Sequence, residues 1–313
     1  MKIGIIGAGA IGSLFGGLLA ENGNDVWLYN RRKEHVQVLK EKGLTIVSAE
    51  GRRTIPVKAT TKPQDMGILD LAVILVKFPD TEKALEDVAG NLGRDTLVMT
   101  LQNGLGNVEK IMKKVERHRV IAGVTSHGST LLAPGEIYHA GKGPTYLGAL
   151  EETSVSRVQE VVDLFNRSGI DTKLSDNIIK MLWKKLVANV GINPLTALTG
   201  LPNGKLLFYP ELADIMRGAV EETVRVAEAK GIDLELEDPF AYVASVCRAT
   251  AENKSSMLQD VLNRRPTEID AINGAVVREA EKLSEEVPFN RVLTNLVKVL
   301  ERRYLEGSCS SSI

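Results

Sequence analysis

Gly7-Ala8-Gly9-Ala10-Ile11-Gly12 directly follows the apolar run KIGII of Lys2 to Ile6 and opens a helix-like run to Asn22. This is a G-x-G-x-x-G pattern set between a strand and a helix, and its chemistry is the binding of a dinucleotide pyrophosphate. Gly7 allows the tight turn, Gly9 lets the pyrophosphate approach the backbone, and Gly12 lets helix and strand pack closely. The backbone from Ala8 through Ala10 and Ile11 leads into the helix N-terminus, which offers N–H groups and the positive end of the dipole to an anion. The run DVWLYN, Asp25 to Asn30, reads as the second strand. A site for NAD usually ends that strand in an acid that bonds the ribose 2′-hydroxyl. Here it ends in Asn30 followed by Arg31 and Arg32. A guanidinium suits a 2′-phosphate, so NADP(H) is the expected cofactor. Arg32 has no role fixed by this reading.

Three further groups follow apolar runs at the ends where ligands bind in open α/β sheets. Lys77 comes directly after VILV, Asn103-Gly104 after TLQ, and His127-Gly128-Ser129 after GVTS. Lys77 can contact the cofactor's ribose or phosphates, and Asn103 the nicotinamide end or the substrate. A solvated lysine and a plain Asn-Gly turn stay open as alternatives. His127 is a weak candidate for a general base.

A second set lies past the middle of the chain. At 100° per residue, Ile178, Met181, Leu182, Lys185, Ala188, Asn189 and Ile192 share one side of a helix, while Lys180 and Lys184 fall on an edge expected to be wet. Lys185 and Asn189 therefore sit among apolar residues, where a charge and an amide are costly unless they meet partners or a ligand. Asn193 follows one turn later and precedes Pro194, which is expected to end the helix there. A snorkelling lysine with helix-end asparagines remains the plain alternative. Ser256-x-x-Gln259 reads as a capping box, and Glu268 falls in the expected first turn of a helix opening at Thr267, where an acid favours the dipole.

The elements that must position these residues divide the chain in two. Apolar runs at Asp70 to Val76, Thr96 to Leu101 and Val120 to Thr125 alternate with helix-like segments at Asp80 to Asn91 and Asn107 to Val115. That alternation predicts a parallel, doubly wound α/β sheet of the Rossmann type. The glycine-punctuated stretch Ile137 to Leu147 predicts antiparallel strands or a hairpin at the sheet edge. From Asn177 on, helical periodicity alone is expected, over Asn177 to Gly191, Pro210 to Lys230, Pro239 to Asn253, Ser256 to Arg264, Thr267 to Glu285 and Asn290 to Glu306. The expected domains are residues 1–175, binding NADP, and 176–313, all helical and carrying substrate and catalysis. A ligand is expected in the crevice between them. The tail at 307–313 is expected to be disordered.

Bulk composition is ordinary for a globular chain of 313 residues, with 43% hydrophobic and 25% charged residues. A net charge of −1 gives no reason to expect nucleic-acid binding. Two distant cysteines, Cys247 and Cys309, form no disulfide framework and fit a reducing cytoplasm. The uncharged stretch Ile3 to Ala20 is interrupted by six glycines and is read as strand plus buried helix rather than as a signal or a membrane span. Four scattered histidines and two cysteines show no metal-ligand spacing, so no metal is expected. Apolar faces on the later helices permit a homodimer as well as a monomer.

Taken together, GAGAIG at Gly7, LVK at Lys77, QNGLGN at Asn103, WKKLVANVGINPLTALTGLPNG from Trp183 to Gly204, ENKSSMLQDV and RPTEIDAINGAV resemble the ketopantoate reductase (2-dehydropantoate 2-reductase) family in type and order. The resemblance spans Gly7 to about Val276 and implies a Rossmann-type domain followed by a helical domain like the C-terminal one of 6-phosphogluconate dehydrogenase. It implies an oxidoreductase that uses NADPH to reduce 2-dehydropantoate to (R)-pantoate, a step toward pantothenate and coenzyme A. By resemblance Lys185 is the catalytic acid, and Glu268 sits beside it and near the nicotinamide ribose. Asn103, Asn189, Asn193 and Asn203 would contact substrate, with Asn253 and Ser256 near its carboxylate. Arg31, Lys77, Asn103 and the backbone near Ser129 would hold the rest of the cofactor. Relatives of this kind also act on branched-chain or aromatic 2-oxo acids, and a non-catalytic NADP(H)-sensing module is a third reading. A sensor needs no proton donor, which sets the Lys185–Asn189–Asn193 series against it.

Overall fold

Apolar runs bounded by glycine and polar turns become strands buried on both faces, as a parallel sheet requires. A computed structural model describes residues 1–306; the expectation for the tail and Cys309 lie outside the described residues. The strands are β1 (Lys2–Ile6), β2 (Asp25–Tyr29), β3 (Leu44–Ser48), β4 (Gly51–Ile55), β5 (Lys58–Thr60), β6 (Leu69–Ile74), β7 (Leu92–Thr100), β8 (Val120–Thr125), β9 (Gly128–Ala133), β10 (Glu136–Gly141), β11 (Thr145–Ala149) and β12 (Thr172–Leu174). The helices are α1 (Ala10–Glu21), α2 (Lys33–Lys42), α3 (Thr81–Asp87), α4 (Asn107–Met112), α5 (Val155–Arg167), α6 (Ile178–Thr199), α7 (Pro210–Ala229), α8 (Pro239–Ala249), α9 (Ser256–Leu262), α10 (Asn273–Leu283) and α11 (Pro288–Glu306). No helix among the described residues is long and apolar enough to cross a membrane.

The chain forms two compact units. The first comprises Met1–Gln102 and Asn107–Ile178, and the second Asn103–Gly106 and the chain from Ile179 on. The excursion at 103–106, a loop following β7 that belongs to the second unit, has no signature in local sequence.

In the first unit an eight-stranded sheet runs in the order β12-β11-β8-β7-β6-β1-β2-β5. β5, β2, β1, β6, β7 and β8 are parallel, with Ile3 opposite both Val26 and Leu71. β11 runs antiparallel to β8 and parallel to β12. Ile3, Ile5, Leu71 and Val73 are fully buried, and with Phe15 and Phe165 from α1 and α5 they belong to one core.

Of the antiparallel strands or hairpin expected at the edge of that sheet, β11 runs antiparallel along β8 as expected, and β10 lies elsewhere. β9 and β10 pair antiparallel and join β3 and β4 in a separate four-stranded sheet, β4-β3-β10-β9. The reason is β3, which lies parallel to β10 and gives it a partner encoded about ninety residues earlier. Only β11, of the strands in that stretch, joins the main sheet, and β12 covers its outer side.

The second unit is helical, with strands absent among its described residues. Trp183, Leu186, Val187 and Val190 of α6 share a core with Met216 and Val220 of α7, Val243 of α8, Met257 of α9 and Val276 of α10. α6 does not end at Asn193 as expected: Pro194 lies inside it and the helix continues to Thr199. Proline removes the bond to the carbonyl four residues earlier, here that of Val190. Asn273 supplies the missing donor, its Nδ2 reaching Val190 O at 3.1 Å and Asn290 Oδ1 at 3.0 Å. The start of α11 has a comparable device. Glu222 of α7, fully surrounded, accepts from Phe289 N, Asn290 N and Asn290 Nδ2 at 2.8, 2.9 and 2.8 Å, which satisfies N–H groups that a helix start leaves over.

Candidate functional site

In the first unit, β1 ends at Ile6 and the chain turns at Gly7, whose φ of +103° favours glycine. A Cβ on Gly12 would stand 2.3 Å from Gly7 O, so the turn and the first helical turn are pressed together. A Cβ on Gly9 would meet nothing within 4 Å, which leaves open space over the loop. Ser13 N donates to Gly9 O at 2.8 Å and closes the first turn of α1. The N–H groups of Ala10, Ile11 and Gly12 precede it and have no helix carbonyl to reach. A phosphate group fits this arrangement of open space and outward donors. Ser129 Oγ donates to Ala10 O at 3.1 Å, tying β9 to the start of α1.

Asn30 stands at the end of β2, where an acid would favour NAD. Its Nδ2 donates to Ala8 O at 2.7 Å and its Oδ1 accepts from Arg32 N at 2.9 Å, so the turn is bound to the glycine loop. Arg31 is half-exposed and already gripped. Its Nε and Nη2 donate to Asp87 Oδ2 at 3.3 and 3.1 Å, and its Nη1 to Asp80 Oδ1 at 3.3 Å. Asp87 also accepts from Tyr29 Oη at 3.2 Å and pairs with Lys83 at 3.0 Å. Burial pushes the Asp87 carboxyl up, but Lys83 and Arg31 together hold it below its ordinary value. Neither acid was evident from sequence, because both lie on or before α3, some fifty residues away.

Lys77 follows β6 and is half-buried, and its carbonyl accepts from Asp80 N at 2.9 Å. Gln102 at the end of β7 donates to Val76 O at 2.7 Å and Thr81 Oγ1 at 2.9 Å, holding the loop after β6. His127 packs edge-on to Phe15, with its Nδ1 3.0 Å from His139 Nε2. Burial, then the neighbouring His139, push its imidazole down to about 4. Its Nε2 is buried without a hydrogen-bond partner, an arrangement that suits packing.

In the second unit, α6 presents Lys185 in partial burial. Burial pulls its ammonium from an ordinary 10.5 down to about 8, against Glu268, which raises it. Glu268 is only 8% exposed and accepts from Asn103 Nδ2 at 3.3 Å. Lys185, Glu268 and Asn103 therefore form one polar cluster, although they are far apart in sequence. Lys180, expected on a wet edge, instead pairs with Glu235, and its side chain is largely covered.

Glu268 does not lie in the first turn of a helix, as its sequence context had suggested. α10 begins at Asn273, and the residues before it form turns in which Ala271 N and Ile272 N both donate to Glu268 O. The Ala271 carbonyl is taken instead by Leu105 N at 2.8 Å. Gly104 makes this approach possible: its φ is +80° and a Cβ there would lie 2.1 Å from Ala271 O.

The asparagines stand nearby on the same unit. Asn189 Nδ2 is buried with no hydrogen-bond partner, and Asn193 is buried. Asn203 Nδ2 donates to Thr250 Oγ1 at 2.9 Å, while its Oδ1 is buried and unpartnered. Each buried unsatisfied amide atom costs about 1–3 kcal/mol, a deficit that a polar ligand would relieve. Asn253 is not on a helix, because α8 stops at Ala249 and the carbonyls of Ala251 and Asn253 accept from Gly204 N and Asn203 N, both at 3.0 Å. The cap of α9 is Ser255, not Ser256: Ser255 Oγ accepts from Leu258 N at 3.1 Å and lies 2.6 Å from Thr196 Oγ1 of α6. Ser256 and Asn253 are exposed.

The family described as ketopantoate reductase PanE/ApbA matches residues 3–152, and its C-terminal counterpart matches residues 177–301. A 2-dehydropantoate 2-reductase of Pyrococcus horikoshii is 39% identical over 306 residues, covering 96% of this chain and 98% of that protein. One of Halobacterium salinarum is 36% identical over 96% of this chain and 99% of its own length. Among solved structures, a D-mandelate dehydrogenase with NADH and anilino(oxo)acetate superposes with a TM-score of 0.93 at 30% identity, over 97% of this chain and all of that one. A 2-dehydropantoate 2-reductase from Geobacter metallireducens gives 0.90 at 30% identity, over 95% and 99% of the two chains. With both halves matched by one family, and a lysine, its carboxylate and a row of amides gathered on the helical half, this chain belongs to the ketopantoate reductase family.

Proposed function

We propose that this protein reduces 2-dehydropantoate to (R)-pantoate with NADPH. The observation that carries the reading is the cluster of Lys185, Glu268 and Asn103, with Asn189 one turn along α6 from Lys185 and its buried amide nitrogen without a partner. The first unit takes the cofactor: the glycine loop and the start of α1 hold its pyrophosphate, Arg31 its 2′-phosphate, and Lys77 and Ser129 the adjoining groups. When bound, the nicotinamide supplies a hydride to the carbonyl carbon. The second unit supplies the rest. As negative charge grows on the carbonyl oxygen, the Lys185 ammonium stabilises it and gives up a proton. With the amine drawn down to about 8, the donor is charged at neutral pH yet ready to release its proton. Glu268 keeps the ammonium charged and is itself held by Asn103. Asn189, Asn193 and Asn203 bond the substrate's oxygens, with Asn253 and Ser256 toward its carboxylate, and so fix the face that is reduced. Two cysteines in the whole chain support a cytoplasmic setting.

One observation favours a second reading. The superposition on a D-mandelate dehydrogenase is as full as that on any reductase named above, which makes an aryl 2-oxo acid the rival substrate and NADH the rival cofactor. The buried Asn203, with an amide oxygen to spare, suits a substrate with an extra hydroxyl. The test is consumption of NADPH and of NADH with ketopantoate, 2-ketoisovalerate and an aryl 2-oxo acid. A site built around the hydroxyl rejects analogues lacking it by about 10⁴ in kcat/KM. Equal or better use of an aryl acid would replace the first reading by the second.

A further inference from the structure

We propose that Asp80 is a specificity-setting residue that restrains this chain's preference for a 2′-phosphorylated dinucleotide by occupying and neutralising Arg31. The inference rests on the reading of Arg31 as the phosphate contact and adds a competitor to it. A guanidinium has five N–H donors. Nε and one hydrogen of Nη2 serve Asp87, and one hydrogen of Nη1 serves Asp80, which leaves two for anything else. The two acids are not equivalent. Asp87 is the inner anchor: its side chain is 18% exposed, Oδ2 receives Arg31 and Tyr29, and Oδ1 meets Lys83. It fixes the plane of the guanidinium, as a positioning partner should. Asp80 is the outer one, 54% exposed, at the end of the short turn that begins after Lys77, its own N–H bound to Lys77 O at 2.9 Å. It holds only Nη1, the terminal nitrogen that Asp87 leaves.

The charge balance follows. Arg31 and Lys83 are opposed by Asp80 and Asp87, so the cluster is formally neutral. A 2′-phosphate carries close to two negative charges, and it meets a neutral cluster in which the outermost group is a carboxylate. It must displace that carboxylate or share the arginine with it. Without the Asp80 charge the cluster carries one net positive charge, while Asp87 still aims the guanidinium. A dinucleotide with a free 2′-hydroxyl has no charge at that position and gains nothing comparable from the change. The Asp80 pair is exposed, so the effect is modest and weakens with salt.

The experiment is isothermal titration calorimetry of NADP+ and NAD+ binding to the full chain, in the wild type, Asp80→Asn, Asp80→Ser and Arg31→Ala. Either Asp80 variant is expected to tighten NADP+ by about 3–10-fold while moving NAD+ by less than about 2-fold, the gain shrinking in high salt. An NADP+ to NAD+ affinity ratio unchanged in both Asp80 variants overturns the proposal, as does an equal tightening of both cofactors. Arg31→Ala separates the two levels. If it weakens NADP+ selectively while the Asp80 variants are inert, only the restraint by Asp80 is refuted. If it leaves NADP+ binding untouched, the assignment of Arg31 to the phosphate falls, and the restraint with it.

Discussion

Replacing Lys185 by methionine is expected to make the protein more stable at neutral pH and nearly inactive. Methionine keeps much of the length of the side chain and fills irregular space without a charge. The stability gain is set by how far burial displaces the lysine. Its amine falls from 10.5 to about 8 in the folded protein, a difference worth roughly 3 kcal/mol at 1.36 kcal/mol per pH unit. The sign follows from proton counting. Between about 8 and 10.5 the unfolded chain binds the proton and the folded chain does not, so wild-type stability rises with pH through that window. Below about 8 the full cost of burying the ammonium is present; above 10.5 it is gone. The methionine variant should therefore exceed the wild type by up to about 3 kcal/mol at pH 7, with Tm moving about 2–4 °C per kcal/mol. At pH 10.5 the advantage from this source should vanish. Loss of the donor should lower kcat by about 10²–10⁴. Calorimetry at the two pH values, with steady-state kinetics at pH 7, supplies both numbers. A Tm difference that is the same at both pH values would refute the burial argument, and a methionine enzyme with ordinary turnover would refute the role.

Glu268→Gln removes the charge that raises Lys185. The alkaline limb of the kcat profile, expected near 8 in the wild type because the donor must be protonated, should then move to lower pH. Gly104→Ala places a Cβ where Ala271 O lies 2.1 Å away and where φ is +80°. A loss of about 1–3 kcal/mol from strain is expected, with a fall in kcat/KM as Asn103 shifts from Glu268. Glu222→Ala strips three N–H groups at the start of α11 of their acceptor. Thermal unfolding should show a loss of about 3 kcal/mol, while kcat/KM per folded molecule stays unchanged.

What could be read from the sequence was what is decided locally. The parallel core strands announce themselves as apolar runs, and the face shared by Lys185 and Asn189 follows from helical periodicity alone. What could not be read was decided by partners remote in the chain. Proline stops a helix unless another donor reaches the orphaned carbonyl, and the donor for Val190 is Asn273. A first-turn acid was the natural reading of Pro266-Thr267-Glu268, but the Ala271 carbonyl is captured by Leu105, and no helix can begin until that capture is past. β10 left the main sheet because β3 offered it an edge. The capping-box pattern pointed to Ser256, and the bond from Leu258 N places the cap one residue earlier, at Ser255. Arg31 looked like an unoccupied phosphate clamp, since nothing near it in the chain reveals Asp80 and Asp87.

The bond from Asn273 to Val190 means that α6 is not self-sufficient. Its outer stretch, which carries Thr196 and through it the seat of Ser255, keeps helical continuity by borrowing a hydrogen from Asn273, at the start of another helix. A graft of residues 183–204 onto a foreign scaffold would thus transmit the lettering of the site without its ruler. The spacing between Lys185 and Asn203, beyond Pro194, is inherited jointly from two distant stretches of chain.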